Sequence, residues 1–312
     1  MEFSTLGRTG LKVSVAGLGC GGPSRLGLGE KKSQKECVAL VRRALELGVN
    51  FLDTAEVYGT EEIVGKAVST FPRDRIVLST KKTFPLGRFR DPARELRKGL
   101  EQSLRRLGTD YIDIYHLHGV EPEQYASASE LLPPLVKLRE EGKIRFLGVT
   151  EAFVEDPAHR MLQQALEDGD WDVVMVGFNL LNQSARDLVF PQTQERNIGV
   201  LNMFAVRRAL SRPERLREVW AELVRTGSVD PRACNPEDPL DFLLKEGRAS
   251  TTMDGAYRYC RHEPGVHVVL SGTGSVEHLE ANIESILKPP LPAAALARLN
   301  ETFAEVDCIT GN

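Results

Sequence analysis

Val49-Asn50-Phe51-Leu52-Asp53-Thr54-Ala55-Glu56-Val57-Tyr58-Gly59 is the stretch around which the remaining chain is organised. Val49, Phe51 and Leu52 read as the end of a short buried strand, and Gly48 ahead of them stops a helix. Asp53 follows at once, and Tyr58 lies five residues on, closed by Gly59. An acid at a strand's C-terminal end and a phenol on the next loop converge over one rim. A tyrosine, with an ordinary pKa of about 10, donates its proton poorly at neutral pH unless a cation stands beside it. The stretch therefore poses a question: which lysine and which histidine reach the same rim?

Working outward, strand and helix patterns alternate. Toward the N-terminus, residues 6–13 turn on glycines as a small β-hairpin, and 13–18 read as one short strand. That strand runs into Gly19-Cys20-Gly21-Gly22-Pro23, a glycine-rich loop without the G-x-G-x-x-G spacing of a dinucleotide fingerprint. A helical pattern over 36–47 leads back to the opening stretch. Beyond it, strands at 75–80, 111–115, 144–149, 173–176, 199–203 and 266–270 alternate with helices at 61–68, 93–107, 131–141, 157–166, 185–196 and 276–287. After the seventh strand a helix at 213–223 and a proline-rich loop are inserted, and a helix at 293–306 is added at the end. Eight strands, each followed by a helix and undivided by any linker, predict an α/β fold. It is a (β/α)8 TIM barrel with an N-terminal β-hairpin and extra helices after strand seven and at the C-terminus. Residues 1–312 read as a single domain.

Composition narrows the function. A formal net charge of −4 gives no general attraction to nucleic acid or anionic membrane. No apolar run approaches the roughly 20 residues needed to span a bilayer. Met1-Glu2-Phe3-Ser4-Thr5 lacks a signal peptide's basic start and apolar core. Cys20, Cys37, Cys234, Cys260 and Cys308 are scattered without a C-x-x-C pair, which reads as reduced thiols in a cytoplasmic protein. No cluster has metal-ligand spacing, so no metal is expected.

Barrel sites form at the C-terminal ends of the strands. There the sequence offers Asp53, Tyr58, one of Lys81 and Lys82, and one of His116 and His118. Such a cluster suits proton delivery to a carbonyl oxygen. A cationic lysine held by Asp53 lowers the cost of releasing the Tyr58 proton, and a neutral histidine orients the carbonyl. Separately, Gly272-Thr273-Gly274-Ser275 lead into the last helix, where backbone N–H groups suit a phosphate as well as an ordinary N-cap.

F-L-D-T-A-E-V-Y-G, L-S-T-K, Y-I-D-I-Y-H-L-H and G-K-I-R-F-L-G-V together resemble the aldo-keto reductase superfamily, as do L-G-R-T-G-L-K-V-S and S-G-T-G-S-V-E-H-L-E-A-N near the two ends. The resemblance covers nearly the whole chain. It implies NAD(P)(H)-dependent interconversion of an aldehyde, ketone or sugar with its alcohol. It places the catalytic tetrad on Asp53, Tyr58, Lys81 and His118, with Tyr58 as general acid/base. It also implies cofactor contacts at Thr150, Glu151, Met175, Phe204 and Arg207, and at Gly272, Thr273, Gly274, Ser275, His278 and Asn282. Thr150-Glu151 stand where the family has Ser-Asn, and Met175 where it has Gln. Gly272 and His278 stand where many NADP-binding members have Lys and Arg. NADP(H) is the expected cofactor, with NAD(H) also accommodated. The expected partner is a small carbonyl or alcohol substrate, with neither nucleic acid nor membrane. Two other readings follow from the same residues: a cofactor-sensing regulatory subunit, and a lyase or isomerase using Lys81 as a Schiff base. The latter requires Lys81 to be free of Asp53.

Overall fold

Phe3–Thr5 (β1) and Lys12–Ser14 (β2) pair antiparallel in the computed structural model, which describes residues 1–83 and 90–312. Eight parallel strands follow: Ala16–Gly19 (β3), Phe51–Asp53 (β4), Val77–Thr83 (β5), Ile112–Val120 (β6), Ile144–Glu151 (β7), Val173–Gly177 (β8), Gly199–Met203 (β9) and Val268–Ser271 (β10). They close in the order β10-β3-β4-β5-β6-β7-β8-β9. Helices return the chain between them, so each strand has one face turned to the barrel interior and one to the helices. Extra helices lie after β9, among them Pro213–Thr226 and Thr252–Arg261, and Ala293–Thr302 is added at the end. Among the described residues no helix is long and apolar enough to cross a membrane.

The local chemistry follows the sequence. Ser33 caps Gln34–Glu46 through a reciprocal box with Glu36. Asp91 caps Pro92–Leu107, which starts on proline and ends on Gly108 at φ 65°, in the left-handed region where glycine is favoured. That helix buries Leu96, Leu100 and Leu107, one face of the leucine stripe.

The hairpin closes the barrel's N-terminal end. Leu6, Leu11 and Val13 join the interior cluster of Phe51, Ile114, Val173, Met175, Leu201 and Val268. The Arg8 guanidinium donates to Trp171 O at 2.7 Å and Gly169 O at 3.0 Å, tying the hairpin to the approach to β8. Gly7 sits at φ 48° against the backbone of Asn197–Gly199, leaving no room for a Cβ.

Several boundaries differ from the sequence reading. The helices expected over 157–166 and 293–306, for example, are Arg160–Asp168 and Ala293–Thr302. Other differences bear on the site or have a clear local cause. The strand expected over 13–18 is two strands, because a polar clamp turns the chain between them. Ser14 N–H donates to Asn50 Oδ1 at 2.7 Å, and Ser14 Oγ donates to Ala16 O at 2.7 Å. The helix expected over 185–196 divides into Ala185–Leu188 and Phe190–Glu195, since Pro191 has no N–H to continue the first. Finally, β5, β6 and β7 run on to Thr83, Val120 and Glu151, with an irregular register between Leu117 and Val120. These extended strands carry Lys81, His118 and Thr150 on their last rungs rather than on the loops beyond.

Candidate active site

Lys81 is fully buried, and its ammonium donates to Asp53 Oδ2 at 2.5 Å and to Thr54 O at 2.7 Å. Lys81 Nζ lies 5.2 Å from the centre of the Tyr58 ring. Tyr58 Oη and His118 Nε2 are 3.2 Å apart, with the two rings edge to face. Asp53, Tyr58, Lys81 and His118 thus form one connected cluster. The neighbours that compete for these places lie elsewhere. Lys82 points off the other face of β5 and pairs with Glu56 at 3.0 Å. His116 shares the inward face with His118 but lies one layer deeper, opposite Lys81 in the strand register, while His118 lies opposite Thr83.

Tyr58 closes a short 3-10 turn, Glu56–Tyr58, which ends at Gly59 with φ 71°. Its ring packs on Gly21, where a Cβ would lie 2.5 Å from a ring carbon. The Gly19–Gly22 loop therefore serves here as a ledge for the phenol. This signal was present in the sequence as a glycine run and has a steric meaning only once Tyr58 is placed over it.

Burial pushes the Tyr58 phenol above its ordinary value, and the Lys81 charge offsets part of that rise. Burial alone would lower the Lys81 ammonium, but Asp53 and the other groups around it raise it overall. A Schiff-base lysine must be neutral and free, and Lys81 is neither. His118 is pushed down to about 3, first by burial and then by the Lys81 charge, so it is a neutral imidazole at ordinary pH.

The expected cofactor positions divide into two groups. In the first, Thr150 Oγ1 accepts from Gly119 N–H at 2.8 Å, beside His118. Glu151 is turned into the protein, where its carboxylate accepts from Gly177 N–H at 2.7 Å and lies 2.9 Å from His159 Nδ1. Burial raises the Glu151 carboxyl and His159 opposes that rise. Met175 is buried in the barrel interior. His159 stacks on Phe153, whose ring meets Phe204 edge to face, and the Arg207 guanidinium lies 4.2 Å over Phe204. Phe204 has φ 66°, a left-handed conformation that a bulky residue rarely adopts. Arg207 Nε donates to Asn312 Oδ1 at 2.7 Å.

The second group lies at β10. Ser275 caps Val276–Leu287 by accepting from His278 N–H, and its hydroxyl lies 2.6 Å from Glu277 Oε2. His278 is exposed, and Asn282 Nδ2 donates to Ser271 Oγ at 2.9 Å. Gly272 passes close to β3, where a Cβ would lie 3.0 Å from Gly19 O. Gly274 is covered by the loop after β3, whose Lys32 ammonium reaches Gly274 O at 2.5 Å. Sequence reading missed Ser79, His159 and Lys32, and it gave no role to Gly21 or, once His118 was chosen, to His116. Apart from Gly21, each contributes through a partner distant in the chain, and no local spacing announces such a pairing.

The chain belongs to the Aldo/keto reductase family, which matches residues 17–303. It is 29% identical to L-galactose dehydrogenase of Arabidopsis thaliana, over 99% of this chain and 94% of that protein. The holo form of an aldo-keto reductase from Bacillus halodurans superposes with a TM-score of 0.74 at 26% identity, covering 99% of this chain and 98% of the other. A Klebsiella pneumoniae aldo/keto reductase, solved in complex with NADP and acetate, gives 0.68 at 25% identity over 96% and 94% of the two chains.

Proposed function

We propose that this protein is an NADP(H)-dependent oxidoreductase that interconverts a small aldehyde, ketone or sugar with its alcohol, and that Tyr58 is its general acid and base. The observation that carries this reading is the buried Lys81–Asp53 pair set beneath a tyrosine whose hydroxyl meets a neutral histidine. The donors present fit the cofactor. Gly272–Ser275 open a twelve-residue helix, Val276–Leu287, whose N-terminus suits a phosphate, and Lys32 brings a cation to the same segment. Bound there, NADP(H) supplies or accepts the hydride.

In reduction, Tyr58 Oη releases its proton to the carbonyl oxygen as charge develops there. The Lys81 ammonium stabilises the phenolate left behind, and Asp53 holds Lys81 in place. Neutral His118 has a ring N–H to offer the same oxygen, which fixes the carbonyl's orientation. In oxidation Tyr58 takes the proton back from the alcohol. Four buried cysteines, with Cys308 exposed, and none of them bonded to another, agree with a reducing compartment such as the cytoplasm.

The test follows NADPH consumption with a panel of aldehydes, ketones and aldoses, and cofactor reduction with the matching alcohols and sugars, L-galactose among them. Turnover is expected with at least one class, and Tyr58→Phe should lower kcat by about 10²–10⁴ while cofactor affinity stays near wild type. Turnover in Tyr58→Phe close to wild type would remove Tyr58 from the chemistry.

A further inference from the structure

The Asp53 carboxylate is held from both sides. Oδ2 takes the Lys81 ammonium at 2.5 Å, and Oδ1 accepts from Ser79 Oγ at 2.7 Å. The Ser79 hydroxyl is in turn 3.1 Å from His116 Nε2. An ionised carboxylate only accepts, so the Ser79 proton points at Asp53, and Ser79 Oγ is left to accept from His116 Nε2–H. Donation therefore runs one way along a buried chain, from His116 to Ser79 to Asp53, and meets the Lys81 cation at the other oxygen. Asp53, Ser79, Lys81 and His116 are all buried.

Apart from this chain, the His116 ring lies beside the Val149 backbone. Its Nδ1 is buried without a hydrogen-bond partner, which costs stability that a leucine of similar bulk would not. The barrel also makes room for it. Gly148 lies opposite His116 in the register of β6 and β7, and a Cβ on Gly148 would run into the imidazole ring.

We propose that Ser79 and His116 are positioning residues that hold the Asp53 carboxylate against Lys81 and thereby set the Lys81 ammonium beneath Tyr58. A carboxylate held by donors on both oxygens keeps its partner cation in one place. Without Ser79, Asp53 Oδ1 loses its donor and the carboxylate is free to turn away from Lys81. The Lys81 ammonium is then less well set beneath Tyr58, and the phenol holds its proton more tightly. Besides Asp53 and His116, the titratable groups facing Lys81 are Cys20 at the end of β3, Tyr58 after β4 and His118 on β6. None of these is an anion at neutral pH that could take over from Asp53. The inference deepens the proposed function and rests on Tyr58 being its acid.

The experiment reads Tyr58 directly, so that it does not depend on finding a substrate. The phenol carbon of labelled tyrosine, assigned by its loss in Tyr58→Phe, is titrated by NMR in wild type, Ser79→Ala, His116→Leu and His116→Gln. Ser79→Ala should move the Tyr58 titration upward, with a smaller shift of the same sign in His116→Leu. His116→Gln keeps an N–H donor and should restore most of it. Where a substrate is in hand, Ser79→Ala should lower kcat about tenfold to a hundredfold with KM nearly unchanged, the effect of one hydrogen bond to a charged group. A Tyr58 titration unmoved in Ser79→Ala and His116→Leu would overturn the proposal. Should Ser79→Ala fail to fold, the difference between His116→Leu and His116→Gln decides alone. A wild-type protein inactive on every carbonyl would count against the proposed function, whereas the titration would still test the support that Ser79 and His116 give to the Lys81 cation beneath Tyr58.

Discussion

Among single residues, Gly21 illustrates how a site can depend on a missing side chain. The α-carbon of Gly21 faces the Tyr58 ring, and any Cβ must push the phenol out of its seat. Gly21→Ala is therefore expected to lower kcat by at least tenfold, because small misplacements of a proton donor are costly, while the melting temperature changes little. Kinetics beside a thermal melt checks both halves. His118 gives a prediction of a different kind. Its native value of about 3 lies far below the roughly 6.5 of a free imidazole. Below about pH 6.5 the unfolded chain thus binds a proton that the native site refuses. The stability His118 contributes is complete above that pH and is lost as pH falls toward about 3. The fall in melting temperature between about pH 7 and pH 5 should accordingly be shallower in His118→Leu than in wild type. Equal slopes would mean that His118 is not held neutral.

Individual elements were legible in the sequence to differing degrees. The helix Val276–Leu287 and the strand Gly199–Met203 have the bounds their periodicity predicts. Lys81 and Lys82 are separated by strand alternation once β5 is placed. His116 and His118, two apart, share a face, so alternation cannot choose between them. Their difference is one of depth, set by pairing with Lys81 and Thr83 across strands, and local sequence does not encode that register. The partners of Glu151 and Gly274 are hidden for the same reason, since His159 and Lys32 arrive from other elements. At the β10 element, in the proposed mode of cofactor binding, Gly272 and His278 would offer a 2′-phosphate only a weak grip, with Glu277 close by. Wild type should discriminate only modestly between NADPH and NADH. His278→Arg should raise the NADPH/NADH affinity ratio by about tenfold or more, since a charge-assisted hydrogen bond is worth roughly 1.5–3 kcal/mol. Titrating each cofactor against tryptophan fluorescence measures the ratio, and no change would place the phosphate elsewhere.

The whole molecule divides its labour between the two ends of the barrel. The proposed chemistry lies at the C-terminal rim, and the N-terminal end is packed shut by the hairpin. The alternation of strand and helix made a parallel α/β fold legible, since helices on both sides bury both faces of such strands. The missing G-x-G-x-x-G fingerprint favoured closure into a barrel over an open doubly wound sheet. How the hairpin seals it was not legible, since Leu6, Leu11 and Val13 meet partners from strands throughout the chain. Leu6→Ala leaves a hole in that seal and should cost about 2–5 kcal/mol in denaturant unfolding. Below the melting transition, kcat should stay within about twofold of wild type, since sites this far apart act independently. A large loss of turnover without a loss of stability would contradict this division.

Stoppered below by Leu6, Leu11 and Val13, the barrel is a cup rather than a pipe. Whatever reaches Tyr58 leaves by the doorway it came through. Protein gripped on a solid support at the hairpin would turn every doorway toward the solution, whereas protein gripped beside Arg207 would face the wall.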